Sequence, residues 1–107
     1  MNVLIALLAS IALSAEAAAA TIEMTVNGLV CGFCAQGIEK TLRRNSATED
    51  VYVSLEHRLV AIATKPGTDI DDETLRKALK DAGYDVKAIA RSDRSLAEIR
   101  AERKAKQ

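Results

Sequence analysis

The chain has no tryptophan, one phenylalanine, one proline and one histidine among its 107 residues. Each scarcity closes off a class of explanation. With no Trp and a lone Phe, aliphatic side chains must fill any core. No Ser/His/Asp or paired-carboxylate constellation can be assembled around the one candidate site, the cysteine pair, so nothing supports hydrolytic catalysis. Basic and acidic side chains number 15 each, so no charge excess drives nucleic-acid binding, and no aromatic interleaving supports it. No apolar run is long enough to span a bilayer. Cysteine is nearly absent too, and the two that exist, Cys31 and Cys34, are spaced C-x-x-C.

What is present begins with the apolar stretch Val3–Leu13, followed by Ser14-Ala15-Glu16-Ala17-Ala18-Ala19-Ala20. A short apolar segment leading into small residues with A-x-A-like cleavage sites predicts a secretory signal peptide over residues 1–20. The positive charge of its first segment rests on the amino terminus alone, since Met1-Asn2 carries no Lys or Arg. Removal of this segment leaves a domain over 21–90 and a charged tail over 91–107, a size at which one core gives modest stability. The domain carries 9 basic and 11 acidic side chains and the tail 6 and 3, so the domain is slightly acidic and the tail basic. Export predicts a periplasmic location.

Thr21–Asn27 alternates, with Ile22, Met24 and Val26 on one face, and reads as a half-buried strand. From Phe33 the period lengthens, placing Ala35, Ile38 and Leu42 on one helical face ahead of the basic pair Arg43-Arg44. Val51–Leu55 and Val60–Ala63 alternate again and form a hairpin around Glu56-His57-Arg58. After the loop marker Lys65-Pro66-Gly67-Thr68, acids precede a second helix over Glu73–Ala82, with an apolar stripe of Leu75, Ala78, Leu79 and Ala82 and with Gly83 as its C-terminal cap. Tyr84–Ile89 is a last strand. The order β-α-β-β-α-β predicts an α+β, ferredoxin-like βαββαβ sandwich, a four-stranded antiparallel sheet with two helices on one face. In the tail, Ser95-Leu96-Ala97-Glu98 has the capping-box pattern and Leu96 and Ile99 form a thin apolar stripe. A short docked helix and a frayed end are both open there.

Cys31 and Cys34 fall where the first strand hands over to the first helix. A helix N-terminus favours the thiolate, the form that binds metals, and leaves backbone N–H groups free to face sulfur. The closed loop is too short for a stabilising disulfide to be the natural reading, although in an oxidising compartment a Cys31–Cys34 bridge would abolish metal binding. Two thiolates suit a soft, low-coordinate ion: Cu(I) is the first choice and Hg(II) satisfies the same chemistry, with Zn(II) or Cd(II) as further candidates. Gly32 removes a side chain that would crowd an ion, and Phe33 is expected to shield part of the approach. His57 is expected to be a solvent-exposed turn residue at the far end of the strands from the cysteines. A redox-active C-x-x-C of a small thiol–disulfide oxidoreductase is the alternative from another class, opposed by the short mature length and by the absence of Trp before Cys31.

The run Val26-Asn27-Gly28-Leu29-Val30-Cys31-Gly32-Phe33-Cys34-Ala35 resembles the G-M-x-C-x-x-C signature of heavy-metal-associated domains. The resemblance continues through Val51–Glu56, Val60–Ile62 and Leu75–Tyr84 and covers roughly residues 21–90. It implies a metal carrier and not an enzyme, like the copper chaperones and periplasmic mercury-binding proteins of that family. It implies Cys31 and Cys34 as ligands, Gly28 as the turn into the loop, and Tyr84 in the loop facing the metal. Leu29 stands where the family has an inward-packing Met, a swap of similar volume. Val30 replaces a polar residue. The implied partner is a metal-transporting membrane protein or another thiolate carrier, met by a monomer.

Overall fold

The computed structural model describes residues 20–28 and 31–105. The expected signal segment thus lies outside the described residues, apart from Ala20. The elements are β1 (Thr21–Asn27), α1 (Gly32–Arg43), β2 (Thr48–Ser54), β3 (Leu59–Thr64), α2 (Asp72–Asp81), β4 (Asp85–Ser92) and α3 (Leu96–Ala105). The four strands form one antiparallel sheet in the order β2-β3-β1-β4, the expected ferredoxin-like arrangement.

The alternation of β1 sends Ile22, Met24 and Val26 to the helix-covered face, where each is fully buried. They meet Ile38 and Leu42 of α1, Leu75 and Leu79 of α2, Val60 and Ile62 of β3, Val51 and Val86. α2 starts one residue earlier than periodicity indicates, because the Asp71 carboxylate accepts from the Thr74 N–H and hydroxyl and caps it. Ala82 is exposed instead of completing the apolar stripe, since it is already the C-cap residue. β2 begins at Thr48, three residues before the expected start, where the Thr48 hydroxyl donates to the Leu42 carbonyl at the end of α1.

β4 runs on to Ser92, because the first residue of β1, Thr21, still offers it a pairing partner. The structured unit therefore passes the expected boundary at residue 90. The tail beyond it is a docked helix. The Ser95 hydroxyl accepts from the Glu98 N–H at 3.1 Å and the Glu98 carboxylate accepts from the Ser95 N–H at 3.3 Å, the reciprocal capping box. α3 lies on the sheet face opposite α1 and α2: Leu96 and Ile99 are 6% and 0% exposed and pack on Leu59, Ala61, Tyr52 and Ala63. β3 is consequently apolar on both faces, which is why Leu59-Val60-Ala61-Ile62-Ala63 contains no polar residue. Arg94 fastens the connection by bonding Glu23 of β1 and Glu102 of α3 at 2.7 and 2.6 Å.

Candidate metal centre

Cys31 is the N-cap of α1. Its backbone is extended (φ −137°, ψ 147°), its carbonyl accepts from the Ala35 N–H, and its sulfur accepts from the Cys34 N–H at 3.0 Å. A serine or aspartate commonly fills this capping role; here the cap atom is sulfur. The first turn of α1 contains no acidic residue, so nothing there offsets the positive end of the helix dipole. Cys34 lies one turn along, its Cα 5.2 Å from that of Cys31, and the two sulfurs are joined in a disulfide. Both residues are half-buried. The sulfurs are thus gathered at one point with access to solvent, in the oxidised state.

The antiparallel pairing decides what surrounds them. β1 ends as β3 begins, so the Val26 N–H donates to the Arg58 carbonyl at 2.9 Å, and Asn27 stands opposite Asp85 at the start of β4. Three connections therefore meet at one edge of the sheet: the cysteine loop, the β2–β3 turn and the α2–β4 turn. His57 accordingly belongs to the same edge as the cysteines and not to the far end of the strands. The sequence reading counted separation along the chain, whereas antiparallel neighbours fold the hairpin back. His57 is half-buried, with its Nδ1 3.0 Å from the Ser54 hydroxyl. That edge was recoverable from the ferredoxin-like order itself, in which β1 and β3 must be antiparallel neighbours.

Gly28 turns the chain out of β1 at φ +91°, a conformation that L side chains rarely adopt. A Cβ there would lie 3.3 Å from Cδ1 of Tyr84, so the bare glycine also lets the Tyr84 ring close on the loop. Tyr84 is half-buried against the main core, and its N–H donates to the Leu79 carbonyl after the turn at Gly83 (φ +96°). Gly28 and Tyr84 thus share the cysteine edge.

One expectation changes. Phe33 is 83% exposed, and so does not cover the sulfurs; in the first turn of α1 its side chain is directed away from the core. A Cβ on Gly32 would meet no atom within 4 Å, so the described protein around it does not itself require glycine. Leu29, expected to pack beneath the loop, and Val30 lie outside the described residues. Among the described residues no group of three or more His, Cys, Asp or Glu side chains is gathered, so the sulfur pair is the concentrated soft-donor set.

Comparison with known proteins converges on the same region. Residues 23–85 match the family model described as heavy-metal-associated domain. Copper-transporting ATPase 1 of Mus musculus is 32% identical over 62 residues, which is 58% of this chain but only 4% of the length of that transporter. Among solved structures, the CopZ metallochaperone superposes with a TM-score of 0.57 at 25% identity, covering 63% of this chain and 98% of its own. Oxidized MerP from Ralstonia metallidurans gives 0.55 at 26% identity, covering 64% and 96%. The two solved structures are covered almost whole by under two-thirds of this chain, and α3 lies beyond the residues 23–85 that the family model matches.

Proposed function

The chain belongs to the heavy-metal-associated domain family, and from that premise we propose that it is a carrier of soft metal ions, Cu(I) first, held between Cys31 and Cys34. The observation that carries this reading is the convergence of both sulfurs at the capped N-terminus of α1, half-exposed on one edge. Reduction of the pair yields two thiolates, and softness together with a donor set of two favours an ion content with low coordination over a four-ligand Zn(II) site. Cu(I) is the cargo, passed on as incoming thiolates replace Cys31 and Cys34 one at a time. Access from solvent suits that exchange, since a partner's sulfur must approach before the first protein sulfur departs.

The predicted signal segment assigns the carrier to the periplasm, where it would work as a monomer and exchange its ion with a metal-transporting membrane protein or another thiolate carrier. Hg(II) is the second reading, supported by the resemblance to periplasmic mercury-binding proteins of the same family and by the same softness argument. No catalytic step is assigned.

The test is anaerobic titration of the fully reduced protein with Cu(I) against a chromophoric chelator, with Hg(II), Zn(II) and Cd(II) in parallel competition. One Cu(I) per monomer is expected, with loss of binding in Cys31→Ser and in Cys34→Ser. Undiminished Cu(I) affinity in the double variant would end the proposal. A preference for Hg(II) at equal thiol content would move the assignment to the second reading.

A further inference from the structure

The oxidised pair must be reduced before it can bind an ion, and the structure treats its two sulfurs differently. Thiol–disulfide exchange is an in-line displacement: a thiolate bonds to one sulfur while the other departs with the electron pair, and the route that releases the better-stabilised anion is faster. The Cys31 sulfur already accepts the Cys34 N–H at 3.0 Å. It also occupies the N-cap, facing the positive end of a helix whose first turn holds no acid. The Cys34 sulfur receives no hydrogen bond from the described residues. Of the two described residues between the cysteines, Phe33 is exposed and Gly32 has no atom within 4 Å of where its Cβ would stand.

We infer that Cys34 Sγ is the atom attacked by a reducing thiol and that Cys31 Sγ is the leaving group, which makes Cys34 the S-thiolation site of this protein. The reductant is a small monothiol, or a dithiol protein acting through its first thiol. In the first step the monothiol sulfur bonds to Cys34 Sγ, the Cys31–Cys34 bond breaks, and Cys31 departs as a thiolate held by the residue 34 N–H. In the second step another monothiol attacks the outer sulfur of the adduct, releasing the Cys34 thiolate and the reductant's own disulfide. Two thiols are oxidised and one protein disulfide is reduced, so the electrons balance. This deepens the carrier reading, since it names the reaction that opens the metal site and the residue through which it passes.

The experiment uses the oxidised full chain and glutathione. After a short exposure the mixture is acid-quenched, the free thiol is alkylated, and peptide mass spectrometry locates adduct and alkyl group. The glutathionyl group is expected on Cys34 over Cys31 by about tenfold, the effect of one charge-assisted hydrogen bond on the departing sulfur. Equal division, a majority on Cys31, or no adduct overturns the inference. A second measurement avoids the intact disulfide. Glutathione adducts of Cys34→Ser and Cys31→Ser are compared for release of the protein thiol by excess dithiothreitol. The residue 34 N–H persists in both, so release from Cys31 should be the faster by a similar factor, and equal rates overturn the inference. An adduct on Cys34 without Cu(I) binding by the reduced protein would sink the carrier reading alone, and Cu(I) binding with the adduct on Cys31 would sink this inference alone.

Discussion

Truncating Ile99 to alanine tests the third layer of the fold most directly. The side chain is 0% exposed, seated with Leu96 on Leu59 and Ala61 and flanked by Tyr52 and Ala63. Cutting back a fully buried isoleucine costs about 2–5 kcal/mol through lost transfer energy and residual cavity. The upper part of that range is out of reach here, because α3 has another way to respond. It is a ten-residue helix on a three-residue connection, too short to persist alone in water. Once the penalty exceeds the docking free energy, the helix lets go and the loss saturates. Docking also includes the Arg94 bonds to Glu23 and Glu102 and the Arg100 guanidinium 5.2 Å from the Tyr52 ring centroid. A loss of about 2–3 kcal/mol is therefore expected for Ile99→Ala. At roughly 4–8 °C per kcal/mol for a domain of this size, the melting temperature should fall by about 8–24 °C. Urea denaturation of the wild type, Ile99→Ala and a chain ending at Ser92 supplies the assay, the last setting the ceiling. Cu(I) stoichiometry should be unchanged in Ile99→Ala, since α3 lies on the sheet face away from α1. A change in stability below about 0.5 kcal/mol, the size expected of an ordinary surface substitution, would refute the docked helix.

Gly28→Ala should destabilise the protein by about 1–2 kcal/mol, because φ +91° is strained for an L residue and the added carbon meets the Tyr84 ring. Denaturation should show this, with weaker Cu(I) retention at the same edge, and a neutral outcome would mean that Tyr84 does not close on the loop. The Arg43 guanidinium hydrogen-bonds the Asp50 carboxylate and holds its pKa below the usual carboxylate value, aided by the Val51 N–H and opposed by partial burial. A lowered folded pKa contributes stability above the unfolded value near 3.8, and that contribution is lost as pH falls through the folded value. Asp50→Asn should therefore flatten the acid limb of a stability profile measured between about pH 6 and 2.5, and an unaltered slope would show the pair to be energetically idle.

Local pattern determined much of this protein. Period-two runs placed Ile22, Met24 and Val26 inward, helical spacing placed Ile38, Leu42, Leu75 and Leu79, and Ser95 with Glu98 marked the start of α3. The C-x-x-C spacing at a strand-to-helix junction located the sulfur pair, because each of these signals lies within one or two turns of backbone. Element order already implied antiparallel β1 and β3, and the tertiary structure decided which side chains that arrangement brings together. It brought the hairpin turn and His57 to the cysteine edge through antiparallel pairing of β1 with β3, and it pressed the tail onto the sheet through Leu96 and Ile99. It also left Phe33 outside and gave the two sulfurs unequal hydrogen bonding. Such contacts join residues tens of positions apart, and their free energy depends on a closed sheet that no short window of sequence contains.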